Sequence, residues 1–216
     1  MDKLIIEYQY LPPVILFSIL YKKTNIVFEQ CEYYQKGSFR NRCLVAGSSS
    51  VVSLTVPLVK GRYQRTPITE VRIDNSVRWQ ERHWRTLESC YRKAPWFDHY
   101  APGLEEMYRT RYELLAYWDL DLFHWVLSWL NWNKPVNLTG QFLPSYADPG
   151  TLDLRSRILP RTYTRFPSTS YQQVFSDRTG FLPNLSIIDL LFCMGTQATS
   201  YLAAQAADLA GLWWQA

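Results

Sequence analysis

No Cys-x-x-Cys pair occurs in this sequence; its four cysteines, Cys31, Cys43, Cys90 and Cys193, are scattered. Without paired ligand spacing no metal site is expected, structural zinc least of all. With no export signal, reduced thiols are the expectation. No run of like charge and no tract of Lys and Arg alone appears, and the net charge is a mild +4. That balance suits a small anionic substrate better than a nucleic-acid groove. No stretch approaches the roughly 18 apolar residues that a bilayer span needs. Residues 11–20 are apolar, but the run is short, contains Pro12-Pro13 and lacks a small-residue cleavage site. It reads neither as a signal peptide nor as a span, so a cytoplasmic protein is expected. No phosphate-binding loop, dinucleotide fingerprint or zinc signature is present, which leaves the cofactor open.

What is present is a globular composition, with 47% hydrophobic and 19% charged residues. Such a chain of 216 residues is read as a single domain over 1–216. Nine Trp and fifteen Tyr can fill a core and its boundary, or stack on sugars. Residues 4–8 (Leu-Ile-Ile-Glu-Tyr) read as a strand, Pro12-Pro13 opens a helix through Tyr21, and residues 25–28 form a second strand. The chain therefore opens β-α-β. Gly37 and Gly47-Ser48-Ser49-Ser50 bracket residues 39–46, and residues 51–58 alternate, so these two runs are expected to pair as a hairpin. Residues 70–74 read as another strand. Ser76 is placed to cap a helix over 77–93, with Trp79, His83, Leu87 and Tyr91 along one stripe. Ala94-Pro95 ends it, and a short helix is expected after Pro102-Gly103. The clearest helix is 113–131, where Leu115, Trp118, Leu122, Trp125 and Trp129 recur at helical spacing. Residues 133–165 read as a long loop or insertion. Residues 171–175 read as a strand, and 185–194 as a helix with Ser186 and Asp189 in a capping-box start and Gly195 as its stop. Thr196 caps a last helix to about residue 211. The class is α+β: a mixed sheet with a β-α-β opening and a hairpin, and helices mainly in the second half.

The stretch 33–43 gathers Lys36, Arg40, Asn41 and Arg42 among aromatics. An Arg fork can hold carboxylate or phosphate, Lys adds a point charge, and Asn can orient a hydroxyl or an oxyanion. The same residues would also suit a solvated hairpin edge. Strand alternation would place Arg40 and Arg42 on one face and Asn41 and Cys43 on the other. His83 could act as a general acid or base, or be a core histidine held by a backbone carbonyl. Cys43 is a weaker candidate nucleophile. Glu7, Glu32, Glu70 and Asp74 offer carboxylates near strand ends without a recognisable pairing. Asn184 reads first as helix capping and second as a ligand contact at a helix start.

Five pieces in order then carry a resemblance: Tyr10-Leu11-Pro12-Pro13; Lys36 with Asn41-Arg42; Leu54-Thr55-Val56-Pro57; Trp79, His83, Tyr91 and Ala94-Pro95; and residues 180–189, Gly-Phe-Leu-Pro-Asn-Leu-Ser-Ile-Ile-Asp. On these the chain resembles the WbqC-like protein family. The resemblance implies a place among O-antigen (lipopolysaccharide) genes and transfer of an acyl or aminoacyl group to an amino sugar. Arg40, Asn41, Arg42 and Lys36 would hold the anionic or carbonyl part, and His83 would take the proton from the attacking amine. Members often carry His-Gln-Pro where this chain has Ile6, Glu7 and Tyr8. That departure keeps a second reading open, a non-catalytic binder of a small anion or sugar. A nucleic-acid binder is not expected. The oligomeric state is left open.

Overall fold

The computed structural model describes residues 3–209. β1 (Lys3–Ile6) runs into α1 (Val14–Tyr21) and then β2 (Asn25–Phe28), the β-α-β opening read from the sequence. β1 and β2 pair in parallel, Leu4 beside Ile26 and Ile6 beside Phe28. α1 is buried on every residue from Val14 to Leu20. A helix apolar all round has to lie inside the molecule, and α1 packs on the helices at the far end of the chain.

β3 (Arg42–Ala46) and β4 (Val51–Thr55) form the expected antiparallel hairpin, a sheet of their own, with Cys43 opposite Leu54. Residues 70–74 are not a strand. Ile68–Glu70 is a 3-10 turn, and only isolated bridges join Ile73 to Leu58 and Arg72 to Leu114. α2 (Trp79–Tyr91) buries the predicted stripe of Trp79, His83, Leu87 and Tyr91. Ser76 does not cap it; its hydroxyl donates to Asp74 at 2.5 Å instead. α3 (Phe97–Arg109) starts earlier than expected and passes through Pro102. Pro102 lies on the exposed face, so one missing N–H donor there is tolerated. α4 (Leu115–Trp129) is the clear central helix.

Residues 133–165, expected as a loop, supply both edges of the main sheet. β5 (Val136–Leu138) pairs parallel to β2, and β6 (Thr151–Asp153) pairs parallel to β1. The order is β5-β2-β1-β6, all parallel. Residues 171–175 are not a strand; they lead into the short α5 (Ser176–Thr179). α6 (Ile187–Met194) and α7 (Ala198–Asp208) follow, joined through Gly195 at φ 53°. The expected capping box does not form. Ser186 donates its hydroxyl to the Leu11 carbonyl, and Asp189 is buried, accepting from Tyr91, Tyr171 and Gln173. The far end of the last predicted helix lies outside the described residues. Ile187–Asp208 has the length and apolarity of a membrane span, yet 56% of it is buried in the core.

Candidate functional site

Parallel strands end at one edge, so the residues that follow them converge there. Glu7 follows β1, Glu29 follows β2 and Thr139 follows β5, while Arg155 stands two residues beyond β6. Glu7 and Glu29 have no exposed surface and Glu32 has 3%. Glu7 accepts from the Gln9 amide and from the Ser156 N–H, both at 2.9 Å. Glu29 accepts from the Thr139 hydroxyl at 2.7 Å, the Arg155 guanidinium at 2.9 Å and the Tyr146 hydroxyl at 3.1 Å. Arg155 also forks onto Asp153, at 2.9 and 2.6 Å. Glu32 takes a two-bond fork from Arg40, at 2.8 and 2.6 Å.

The cluster is therefore acid-rich: Glu7, Glu29, Glu32 and Asp153 face two guanidinium groups, those of Arg40 and Arg155. Burial pushes the Glu32 carboxyl up against the downward pull of Arg40, and Glu7 and Glu29 add to the rise. Asp119, on α4, is fully buried, and desolvation holds its carboxyl well above the usual range despite the charge of Arg40. Both Asp119 oxygens, the Gln9 Oε1 and the Arg40 Nη1 are buried with no hydrogen-bond partner. Buried polar groups are normally satisfied; Gln9 and Arg40 belong to the cluster through Glu7 and Glu32, so their unpartnered atoms can take a further partner. The cover is light. Ser156, at φ 56°, donates its hydroxyl to the exposed Gln35 at 3.2 Å.

Of the residues singled out in the sequence, Arg40 lies in this cluster with the carboxylates Glu7 and Glu32, while Glu70 and Asp74 are not among its members. Arg40 precedes β3 rather than lying in it, so the expected shared face with Arg42 does not exist; Arg40 is buried and Arg42 is half-buried. Arg42 has a buried Nε without a partner. Asn41 closes the base of the hairpin. Its Oδ1 accepts from Tyr34 at 3.0 Å and its Nδ2 donates to the Val56 carbonyl at 2.9 Å. Lys36 is exposed, with its ammonium 4.2 Å from the Tyr63 ring centre. His83 belongs to an aromatic cluster with Tyr10, Trp79 and Tyr108. Its Nδ1 is hydrogen-bonded to the Tyr10 hydroxyl at 3.0 Å. Burial lowers its pKa to about 4, partly offset by a hydrogen bond to the Thr55 backbone. Asn184, at φ 51°, donates to the carbonyls of Tyr163 and Phe166, at 3.2 and 2.9 Å. Cys43 is buried, and desolvation raises its thiol far above the range of a nucleophile.

Glu29, Asp119 and Arg155 escaped the sequence reading. A signal existed for two of them. Glu29 directly follows an apolar strand, and Asp119 stands four residues after Leu115 on the buried stripe of α4. Nothing local marks Arg155.

A family model, the WbqC-like protein family, matches residues 8–163. The chain belongs to that family. The matched segment includes Arg40, Glu29, Glu32, Asp119 and Arg155, and Glu7 stands one residue before it. Rv1507c of Mycobacterium tuberculosis, an uncharacterised protein, is 28% identical over 228 residues, covering 92% of this chain and 96% of its own. No solved structure matches the chain. The family name connects the chain with polysaccharide-biosynthesis genes in general terms.

Proposed function

We propose that the protein transfers an acyl or aminoacyl group to an amino-sugar-type acceptor of surface polysaccharide, and that the acceptor amine is received at the carboxyl edge of the parallel sheet. The observation that carries this reading is the buried excess of carboxylates there, beside polar atoms without partners. Desolvated carboxylates favour a ligand that brings donors or positive charge. An amine supplies both. In the reaction, the amine nitrogen attacks the acyl carbon, a C–N bond forms, and the bond to the leaving group breaks. The proton lost from nitrogen passes to a cluster carboxylate and the leaving group departs with the electron pair. The unpartnered N–H of Arg40 can donate to the acyl oxygen as charge develops on it. His83 is not needed for the proton, because its ring already serves Tyr10 and the Thr55 backbone.

The test is a thermal-shift screen of amino sugars, neutral sugars, and acyl and aminoacyl donors. A ligand at a hundred times its Kd stabilises by about 2.7 kcal/mol. An amino sugar should raise Tm, its N-acetyl analogue should not, and Glu7→Gln should remove the shift. Equal shifts from the amine and its N-acetyl form would sink the amine-binding reading. The second reading, binding without catalysis, is favoured by Ile6-Glu7-Tyr8 standing where, by the resemblance, members of the family often carry His-Gln-Pro. Amine binding without amide formation, with donor and acceptor both supplied, would select it.

A further inference from the structure

Outside the carboxylate cluster lies a strip of the opposite charge. The segment around Tyr33 runs antiparallel to the segment around Pro67, with the Tyr34 N–H donating to the Thr66 carbonyl at 2.9 Å and the Ile68 N–H to the Glu32 carbonyl at 2.9 Å. Together they present Lys36, Lys60, Arg62 and Arg65, all four exposed, beside Tyr63 and Tyr33. Tyr63 is 71% exposed and Tyr33 50%. Among the described residues none of these four cations has an ion-pair partner. Three of them rest on rings instead: Lys36 at 4.2 Å and Arg62 at 4.8 Å from the Tyr63 centre, and Arg65 at 5.5 Å from Tyr33. Some surface arginines elsewhere have carboxylate partners, as in Arg85–Glu81 and Arg109–Glu105, but these four cations have rings or solvent around them. Glu70, an acid without an ion pair among the described residues, lines a groove of about 420 Å³ with Lys60 and Arg72.

We propose that this strip binds the phosphate or pyrophosphate group of a small organic ester, whose organic body stacks on Tyr63 or Tyr33. A tetrahedral anion can engage several cations at once, and each Arg fork can take two of its oxygens. Cations held over rings are already partly desolvated, and the rings offer faces to a base or sugar. The strip is short. Backbone affinity for nucleic acid grows with the number of phosphates neutralised, and four cations neutralise few. The strip begins one residue after Glu32, so a phosphate ester seated here would have its far end near the cluster. The inference does not depend on which reaction the cluster performs.

Calorimetric titration of the full chain with inorganic pyrophosphate, uridine diphosphate, uridine and a mixed oligonucleotide tests it. Pyrophosphate and the diphosphate should bind and uridine should not. The double variant Arg62→Ala/Arg65→Ala should weaken the diphosphate at least tenfold with Tm unchanged, and Tyr63→Ala should weaken it about threefold more than it weakens pyrophosphate. Glu7→Gln should leave diphosphate binding intact, so the strip and the carboxylate cluster can each fail alone. Unaltered binding in the double variant, or no binding of either phosphate compound at millimolar concentration, overturns the proposal. Oligonucleotide binding that strengthens with length beyond that of the diphosphate overturns it in favour of a nucleic-acid surface.

Discussion

The Tyr10 hydroxyl sits between two partners, the Nδ1 of His83 and the hydroxyl of Tyr108. All three groups are buried, so each depends on the others for satisfaction. His83 is therefore held neutral, its pKa depressed from the ordinary 6.5 to about 4. The unfolded chain binds a proton on this ring below about pH 6.5 while the folded chain does not, so His83 costs stability as pH falls from 6.5 towards 4. The depression amounts to about 3 kcal/mol at full extent. Raised carboxyls such as Asp119 act in the opposite sense, since they lose stability as pH rises. The clean comparison is therefore with His83→Gln: denaturant unfolding should show the difference between the two proteins changing by about 3 kcal/mol between pH 7 and pH 4. A pH-independent difference would mean that His83 is not buried neutral. At the same scale, Asn41→Ala removes a buried bond to Tyr34 and one to Val56, and should lower stability by about 1–3 kcal/mol. An Asn41→Ala protein with unchanged Tm and no activity would instead return Asn41 to a purely catalytic part.

The turn between α6 and α7 depends on Gly195 for two separate reasons. Its φ is +53°, and a Cβ added there would lie 2.1 Å from the Trp96 ring. Gly61 shares the first feature, at φ +63°, but has open space around it. Left-handed backbone costs a side chain about 1–2 kcal/mol, and overpacking adds about 1–3 kcal/mol. Gly195→Ala should therefore lose clearly more stability than Gly61→Ala in parallel urea unfolding. Equal losses would show that Trp96 can move aside at no cost. Elements like α4 and the hairpin were legible because their signals are local: a helical apolar period in one, Gly and Ser turn residues in the other. Residues 171–175 misled for the opposite reason. Tyr171 and Gln173 are drawn to the buried carboxylate of Asp189, a contact made from side chains far along the chain, and no strand partner is offered.

Across the molecule the apolar residues form one cluster running from Leu4 to Leu209. The four free thiols sample it unequally: Cys43 and Cys90 are buried, Cys31 and Cys193 half-buried. Burial also raises the Cys193 thiol, so a thiol reagent at neutral pH should label Cys31 first and reach all four sulfurs only after unfolding. Fast native labelling of Cys43 would contradict the packing around Tyr10. The class, the β-α-β opening, the hairpin, the central helix and the family were legible along the chain, since each rests on periodicity, turn residues or motifs read within a few positions. Tertiary pairing alone makes Val136–Leu138 and Thr151–Asp153 strands, because three residues have no pattern of their own and become strands by pairing with β2 and β1. It also decided the site. Glu7, Glu29, Thr139 and Arg155 are far apart along the chain, and they meet because parallel strands finish at the same edge of the sheet.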